Sequence, residues 1–193
     1  VDTVQNPFSY MCFSKTQALS PTGEPRVFDA TGDGIVIGEG VVMLILKRLA
    51  DAERDGDRIY AVIQSVGGAS DGRALGLTAP RQEGQVLALQ RAYEKAGFSP
   101  TTVGLFEAHG TGTVLNDRVE AGAIARVLGE RAVVTSTKSM TGHLLAGAGA
   151  VEVIASVLAM RAGLVPPTVG ATEIDAGMQV DVVTGAARIA STE

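Results

Sequence analysis

Twice in this sequence a short apolar, β-branched run empties into a loop that carries one histidine among small and hydroxyl residues, and a helix-forming segment follows. The first instance is Leu105-Phe106-Glu107-Ala108-His109-Gly110-Thr111-Gly112-Thr113. The second is Ala132-Val133-Val134 followed by Thr135-Ser136-Thr137-Lys138-Ser139-Met140-Thr141-Gly142-His143. Strand–loop–helix units in series favour an α/β layered sheet. In such sheets, ligands bind at loops on the carboxyl ends of the strands. The chain has two histidines in all, one in each loop. The pattern therefore expects two halves of one site.

The second loop carries its own chemistry. Residues 144–160 are small and apolar and read as a buried helix, which puts Lys138 in the strand-to-helix loop and His143 at the helix start. Backbone N–H groups are unpaired there and the dipole is positive, so a histidine is pushed toward its neutral form. A neutral imidazole keeps one N–H to donate to a developing oxyanion. The plain alternative is a capped helix with a surface lysine. Zinc needs three or four ligands, and no Cys/His cluster has that spacing, so no metal is expected.

The rest of the chain bounds the answer. Its 193 residues fit one domain or part of a larger one, and 46% hydrophobic content suffices for a core. A net charge of −5 speaks against nucleic acid as partner. The most apolar stretch, 144–160, is interrupted by Gly147, Gly149 and Glu152, so no spanning segment and no membrane role is expected. There is no signal-peptide pattern, and a single cysteine excludes an internal disulfide, so the default location is cytoplasmic. That cysteine, Cys12, lies between Met11 and Phe13 and is expected to be buried and inert.

Residues 34–46 alternate glycine with Val, Ile, Leu and Met and read as a central strand. Gly32-x-Gly34 and Gly38-x-Gly40 lack the third glycine of a dinucleotide fingerprint, and no Gly-Lys-Ser/Thr follows. Residues 51–57 form a charged helix end, and 60–66 a second strand. Residues 83–96 place Val86, Leu89, Tyr93 and Ala96 on one helical face, closed by Gly97. Strand 103–106 precedes the His109 loop, helix 117–128 follows it, and 179–183 is the last strand candidate. Val165-Pro166-Pro167-Thr168 is an extended break.

These motifs resemble a known family. Glu107-Ala108-His109-Gly110-Thr111-Gly112-Thr113 with Asp117 and Glu120 is similar to the first histidine motif of β-ketoacyl synthases. Lys138-Ser139-Met140-Thr141-Gly142-His143 resembles their Lys/His motif. Phe28-Asp29, Asp33-Gly34 and Gly38-Glu39-Gly40 resemble a third signature. The resemblance implies a thiolase-like layered fold. Residues 1–193 would cover the end of its first half and most of its C-terminal half, without the nucleophile segment and the final Gly-rich loop. It implies decarboxylative Claisen condensation of an acyl thioester with malonyl-acyl carrier protein, in fatty-acid or polyketide synthesis. By itself the fragment would be inactive, because Cys12 does not match the nucleophile motif.

The resemblance assigns His109 and His143 as oxyanion donors, Lys138 as a field-setting charge and Glu152 as its partner, with Asp117 and Glu120 in support. Thr78, Thr111 and Thr113 would bind the phosphopantetheine arm. The two threonines of the His109 loop serve equally well as turn-stabilising hydroxyls. The expected partners are acyl carrier protein, malonyl and acyl thioesters and, in the full-length protein, a second copy; the substrate rides on phosphopantetheine and no cofactor is bound. Ser136 to His143 looks like the free-standing fatty-acid type, whereas Asp71-Gly72-Arg73 with Gly76-Leu77-Thr78-Ala79-Pro80 looks like the polyketide type. Competing readings are a non-catalytic partner that resembles a chain-length factor, and a thiolase; against the latter, no proline follows His143. Two departures stand out. Asn116 occupies a usual glycine position, where it would need to tolerate the left-handed conformation, and Arg118 adds a bulky charge beside that turn.

Overall fold

The computed structural model describes residues 5–73, 76 and 79–190. In chain order its elements are helix α1 (Pro7–Lys15), α2 (Leu49–Asp55), α3 (Gln82–Ala96), strand β1 (Phe106–Glu107), α4 (Val114–Leu128), β2 (Val133–Thr135), α5 (Lys138–Thr141), α6 (Ala148–Ala162), β3 (Leu164–Val165), β4 (Asp181–Val182) and β5 (Arg188–Ile189).

Strands β1, β2 and β4 form a parallel sheet in that order, with Phe106 opposite Val134 and Val134 opposite Val182. Parallel pairing requires a crossover, which α4 supplies between β1 and β2. Helix α4 lays Ala121, Ile124, Ala125 and Leu128 inward, at the spacing of one helical face. Ile124 and Leu128 meet Val134, Ala132, Val182, Ala108 and Phe28 in one core. Leu89 and Tyr93 of α3 pack on its edge, as the apolar face of 83–96 predicts, and Gly97 closes that helix in the left-handed conformation. Strand β3 pairs antiparallel with β5.

Several expectations need correction. Residues 34–46 are not a laddered strand. Ile35 bridges Leu19 and Ile37 bridges His143, but 41–46 run extended with no ladder, and Ile45 is 99% exposed. Residues 60–66 likewise belong to no ladder among the described residues, with Tyr60, Ile63 and Val66 exposed. Strand character in these runs finds no neighbouring strand among the described residues, and a lone extended segment cannot satisfy its own backbone. The strand expected at 103–106 begins only at Phe106, because Pro100–Thr102 is a 3₁₀ turn.

The helix expected at 144–160 is divided into α5, a 3₁₀ turn at Leu145–Gly147, and α6. By composition the window Leu145–Ala162 is apolar enough to cross a membrane, with mean hydropathy 1.5. Its first turn is 3₁₀, however, and Glu152 within it is held by Lys138. Cys12 is exposed on α1 rather than buried. That helix buries none of its residues, so the apolar neighbours of Cys12 in sequence do not enclose it.

Candidate functional site

The site is built where β1 and β2 end. Their ladder runs to Glu107 and Thr135, and Ala108 N–H donates to Thr135 O at 2.8 Å. Beyond that point the two loops diverge, each toward its histidine. The imidazoles of His109 and His143 meet edge to face, with ring centroids 5.1 Å apart. Two residues far apart in sequence thus share one place because parallel neighbours end at the same edge.

The His109 loop is held by the first turns of α4. Glu120 is buried and accepts from the backbone N–H groups of His109 at 2.7 Å and Gly110 at 2.8 Å. Asp117 is buried and accepts from Thr111 N–H, Gly112 N–H and Phe28 N–H at 3.0–3.1 Å. These carboxylates replace the missing helical partners of a loop that turns too sharply for regular pairing. Burial pushes the Glu120 carboxyl up to about 7, against the pull of its two backbone donors. Burial also raises Asp117, opposed by its hydrogen bonds. Gly110 has φ +42°, and a Cβ there would lie 2.6 Å from Val27 and 2.7 Å from Ser136, so only glycine lets the loop pass this point.

The second loop is clipped from the other side. His143 N–H donates to Val36 O at 2.7 Å, and Gly38 N–H donates to His143 O at 3.1 Å. The run 34–40 therefore serves the site as a backbone clamp. Gly142 turns into it at φ +70°, where a Cβ would stand 3.0 Å from Gly38 N and Val36 O. His143 follows the C-cap of α5 instead of starting a long helix. Its Nδ1 accepts the Leu145 N–H at 3.1 Å, at the opening of the 3₁₀ turn. An accepting Nδ1 carries no proton, so the neutral tautomer bears its N–H on Nε2. At this turn a backbone N–H meets His143 through the ring nitrogen.

His109 is shifted down to about 4, first by desolvation, then by the Lys138 ammonium and by His143. By accessible surface His109 is exposed, while the loop walls around its ring and the nearby Lys138 ammonium disfavour the imidazolium. His109 is therefore neutral near pH 7 and retains one N–H.

Lys138 is 3% exposed and forms an ion pair with Glu152 of α6, the partner expected for it. Reading Lys138 as a surface residue is excluded. Thr111 and Thr113 turn their hydroxyls toward each other at 2.9 Å, the turn-stabilising arrangement. Asn116 lies within α4 and has no positive φ, so it needs no left-handed tolerance. Arg118 points away from the loop, with Nε 2.9 Å and Nη2 2.8 Å from Asp175 Oδ2. Thr78 lies outside the described residues. Among the described residues no group of three or more His, Cys, Asp or Glu is arranged to hold a metal.

Glu107 carries no role in the motif reading, yet it belongs to the same place. Its Oε1 accepts from Thr137 N–H at 2.6 Å and Thr137 Oγ1–H at 2.9 Å. The only signal for it in the sequence is its position two residues before His109.

Comparison with known proteins bears on what such a site does. Residues 60–172 match the family model for the β-ketoacyl synthase C-terminal domain, and residues 1–52 the model for the N-terminal domain. The chain is 45% identical over 173 residues to a phenolphthiocerol/phthiocerol polyketide synthase polypeptide of Mycobacterium tuberculosis, covering 86% of this chain and 9% of that protein. It is 44% identical over 168 residues to a polyunsaturated fatty acid synthase polypeptide of a Thraustochytrium species, covering 83% of this chain and 6% of that protein. In structure it is similar to the ketosynthase from module 6 of the bacillaene synthase of Bacillus subtilis, with TM-score 0.94 and 34% identity, covering all of this chain and 36% of that one. The chain thus spans under a tenth of the length of these two curated relatives.

Proposed function

Because this chain belongs to the β-ketoacyl synthase family and has its thiolase-like fold, we propose that it is the histidine-bearing part of a condensing enzyme. The reaction is decarboxylative Claisen condensation of an acyl thioester with a malonyl thioester. The C–C bond to the malonyl carboxylate breaks, CO₂ leaves, and the electron pair passes onto the thioester oxygen as an enolate. His109 and His143 each donate an N–H to that oxygen. The enolate carbon then attacks the acyl thioester carbonyl, forming the new C–C bond and expelling the enzyme thiolate.

The carrying observation is the pair of imidazoles at 5.1 Å, with His109 held neutral. A charged imidazolium would lower the energy of the enolate further but would sit in a poorly solvated loop beside the Lys138 ammonium. Desolvation disfavours the His109 imidazolium, and the charge of Lys138, anchored on Glu152, adds to it. Acyl carrier protein delivers the thioesters on its phosphopantetheine arm, past the loop that the Thr111–Thr113 hydroxyl pair stabilises. The thiolate that holds the acyl group comes from outside these 193 residues, since Cys12 sits on α1, on neither loop of the site. Relatives in both polyketide and polyunsaturated fatty-acid synthases leave both pathways in the proposal. A chain-length-factor role is disfavoured by retention of both histidines and Lys138.

The test is malonyl-thioester decarboxylation by the complete ketosynthase that carries this sequence. His109→Ala and His143→Ala should each lower kcat by ~10²–10³, the range for removing one oxyanion donor. Equal rates in wild type and both variants would overturn the assignment.

A further inference from the structure

Glu107 stands at the last rung of the β1–β2 ladder, opposite Thr135. From there its carboxylate reaches over to Thr137, at the head of α5. Thr137 immediately precedes Lys138, and Lys138 pairs with Glu152. Glu107 and Glu152 line one open depression of about 310 Å³ with Ser156, walled mostly by apolar side chains that include Ala61, Val62 and Ile63, and Val153 and Val157 of α6. The charged groups that act on Glu107 are Glu152 from α6 and Lys138 from α5. The arrangement is two carboxyls on a mostly apolar recess, with the buried Lys138 ammonium paired to one of them, wired by backbone to both histidine loops.

Resting on the condensing-enzyme reading, we propose that Glu107 is a positioning residue: through Thr137 it seats Lys138 against Glu152, and its protonation sets the net charge behind the histidine pair. With Glu107 ionised the cluster carries one net negative charge; with Glu107 protonated it is neutral, and the Lys138 ammonium acts on His109 less compensated. Desolvation, the largest cause, pushes the Glu107 carboxyl up to about 7; Thr137 and Lys138 oppose that shift and Glu152 adds to it. Both states are therefore populated at neutral pH. Burial alone would give a silent protonated glutamate; the hydrogen bonds from Thr137 bring the switch into the working range.

The test uses the complete ketosynthase and two readouts. In the first, the side-chain nitrogens of His109 and His143 are followed by NMR from pH 5 to 9. In the wild type their signals should step with a midpoint of about 7, a pH at which His109 itself stays neutral. Glu120, which holds the His109 backbone, is also raised to about 7, so the variants are compared in a Glu120→Gln background. There Glu107→Gln keeps an oxygen to accept from Thr137 but has no titrating carboxyl, so the step should vanish. Thr137→Val removes one donor to the carboxylate and should move the midpoint upward. In the second readout, malonyl decarboxylation by Glu107→Gln should lose the corresponding inflection in its pH profile, and Glu107→Ala should lower kcat by ~10-fold or more with KM within ~2-fold. In the Glu120→Gln background, a step that persists in Glu107→Gln, or a midpoint unmoved in Thr137→Val, would overturn the inference. The histidine titration needs no turnover. A wild type that shows the step but does not decarboxylate malonyl thioester would therefore sink the condensing reading and leave Glu107 as the charge control of the cluster.

Discussion

Residues 105–143 and residues 41–66 are written in similar language, and the structure treats them oppositely. Val134 in β2 is fully buried, its backbone is paired on both sides, and the loop beyond β1 is held by buried carboxylates. Val41, Met43, Ile45 and Leu46 are as apolar, but they run extended over the surface. Polar contacts follow the same division. Lys138 and Glu152 pair in a recess, whereas Lys47 meets Asp55 and Asp57 with all three groups well solvated. The lesson is that β-branched character creates a demand for a neighbour and does not supply one. In 105–143 the demand is met by α4 and by the order β1-β2-β4. In 41–46 and 60–66 no ladder meets it among the described residues.

Breaking the buried pair should have the largest effect. Glu152→Gln leaves an ammonium in a recess without its counter-charge and should destabilise the protein by about 3–5 kcal/mol in urea unfolding. Lys47→Ala should leave the urea midpoint where it is. If the two changes cost alike, the contrast between the regions is false.

Gly110→Ala comes next. The new Cβ would press on Val27 and Ser136 at a φ of +42°, a strain of about 1–3 kcal/mol. Gly56, which also has positive φ but nothing within 4 Å of its Cβ position, should tolerate alanine better by the same unfolding assay.

Titration sharpens the comparison further. The carboxyls of Glu107 and Glu120 are raised in the fold from 4.5 to about 7. Their contribution is fully present below the unfolded value and is lost as pH rises through about 7. His109 is lowered from 6.5 to about 4. Its contribution is present above 6.5 and is lost as pH falls toward 4. Between pH 4.5 and 6.5 these slopes oppose each other. From 6.5 to about 8 only the carboxyls act, so stability should fall with rising pH, and Glu107→Gln should flatten that fall. A stability that climbs across this window would contradict the burial of both groups.

The smallest effect is expected at Ile45. Changing a 99% exposed side chain to threonine should alter stability by no more than about 0.5 kcal/mol while improving solubility. A loss above about 2 kcal/mol in the complete protein would mean that this run is covered there and packs as firmly as β2.

Local sequence dictates the alternation of strands and helices, the α3 face with Gly97 at its end, and the convergence of two histidine loops. Each is a local signal: a period, a terminating glycine, or a loop following an apolar run. The pairing of Lys138 with Glu152 is legible too, though by resemblance to a family and not by spacing. The exposure of Cys12 is not legible, because two apolar neighbours in sequence say nothing about what faces a helix. Nor is the break at 141–147. Residues 144–160 are small and apolar with Gly147 and Gly149 among them, which does not place the break, while the chain there must first give His143 to the backbone of Val36 and Gly38. The tautomer of His143, the reach of Glu107 to Thr137 and the exposure of 41–46 belong to tertiary structure alone. Each depends on which distant backbone arrives alongside, and that is set by the parallel register of β1 and β2 and by the clamp from 34–40, neither of which has a local sequence code.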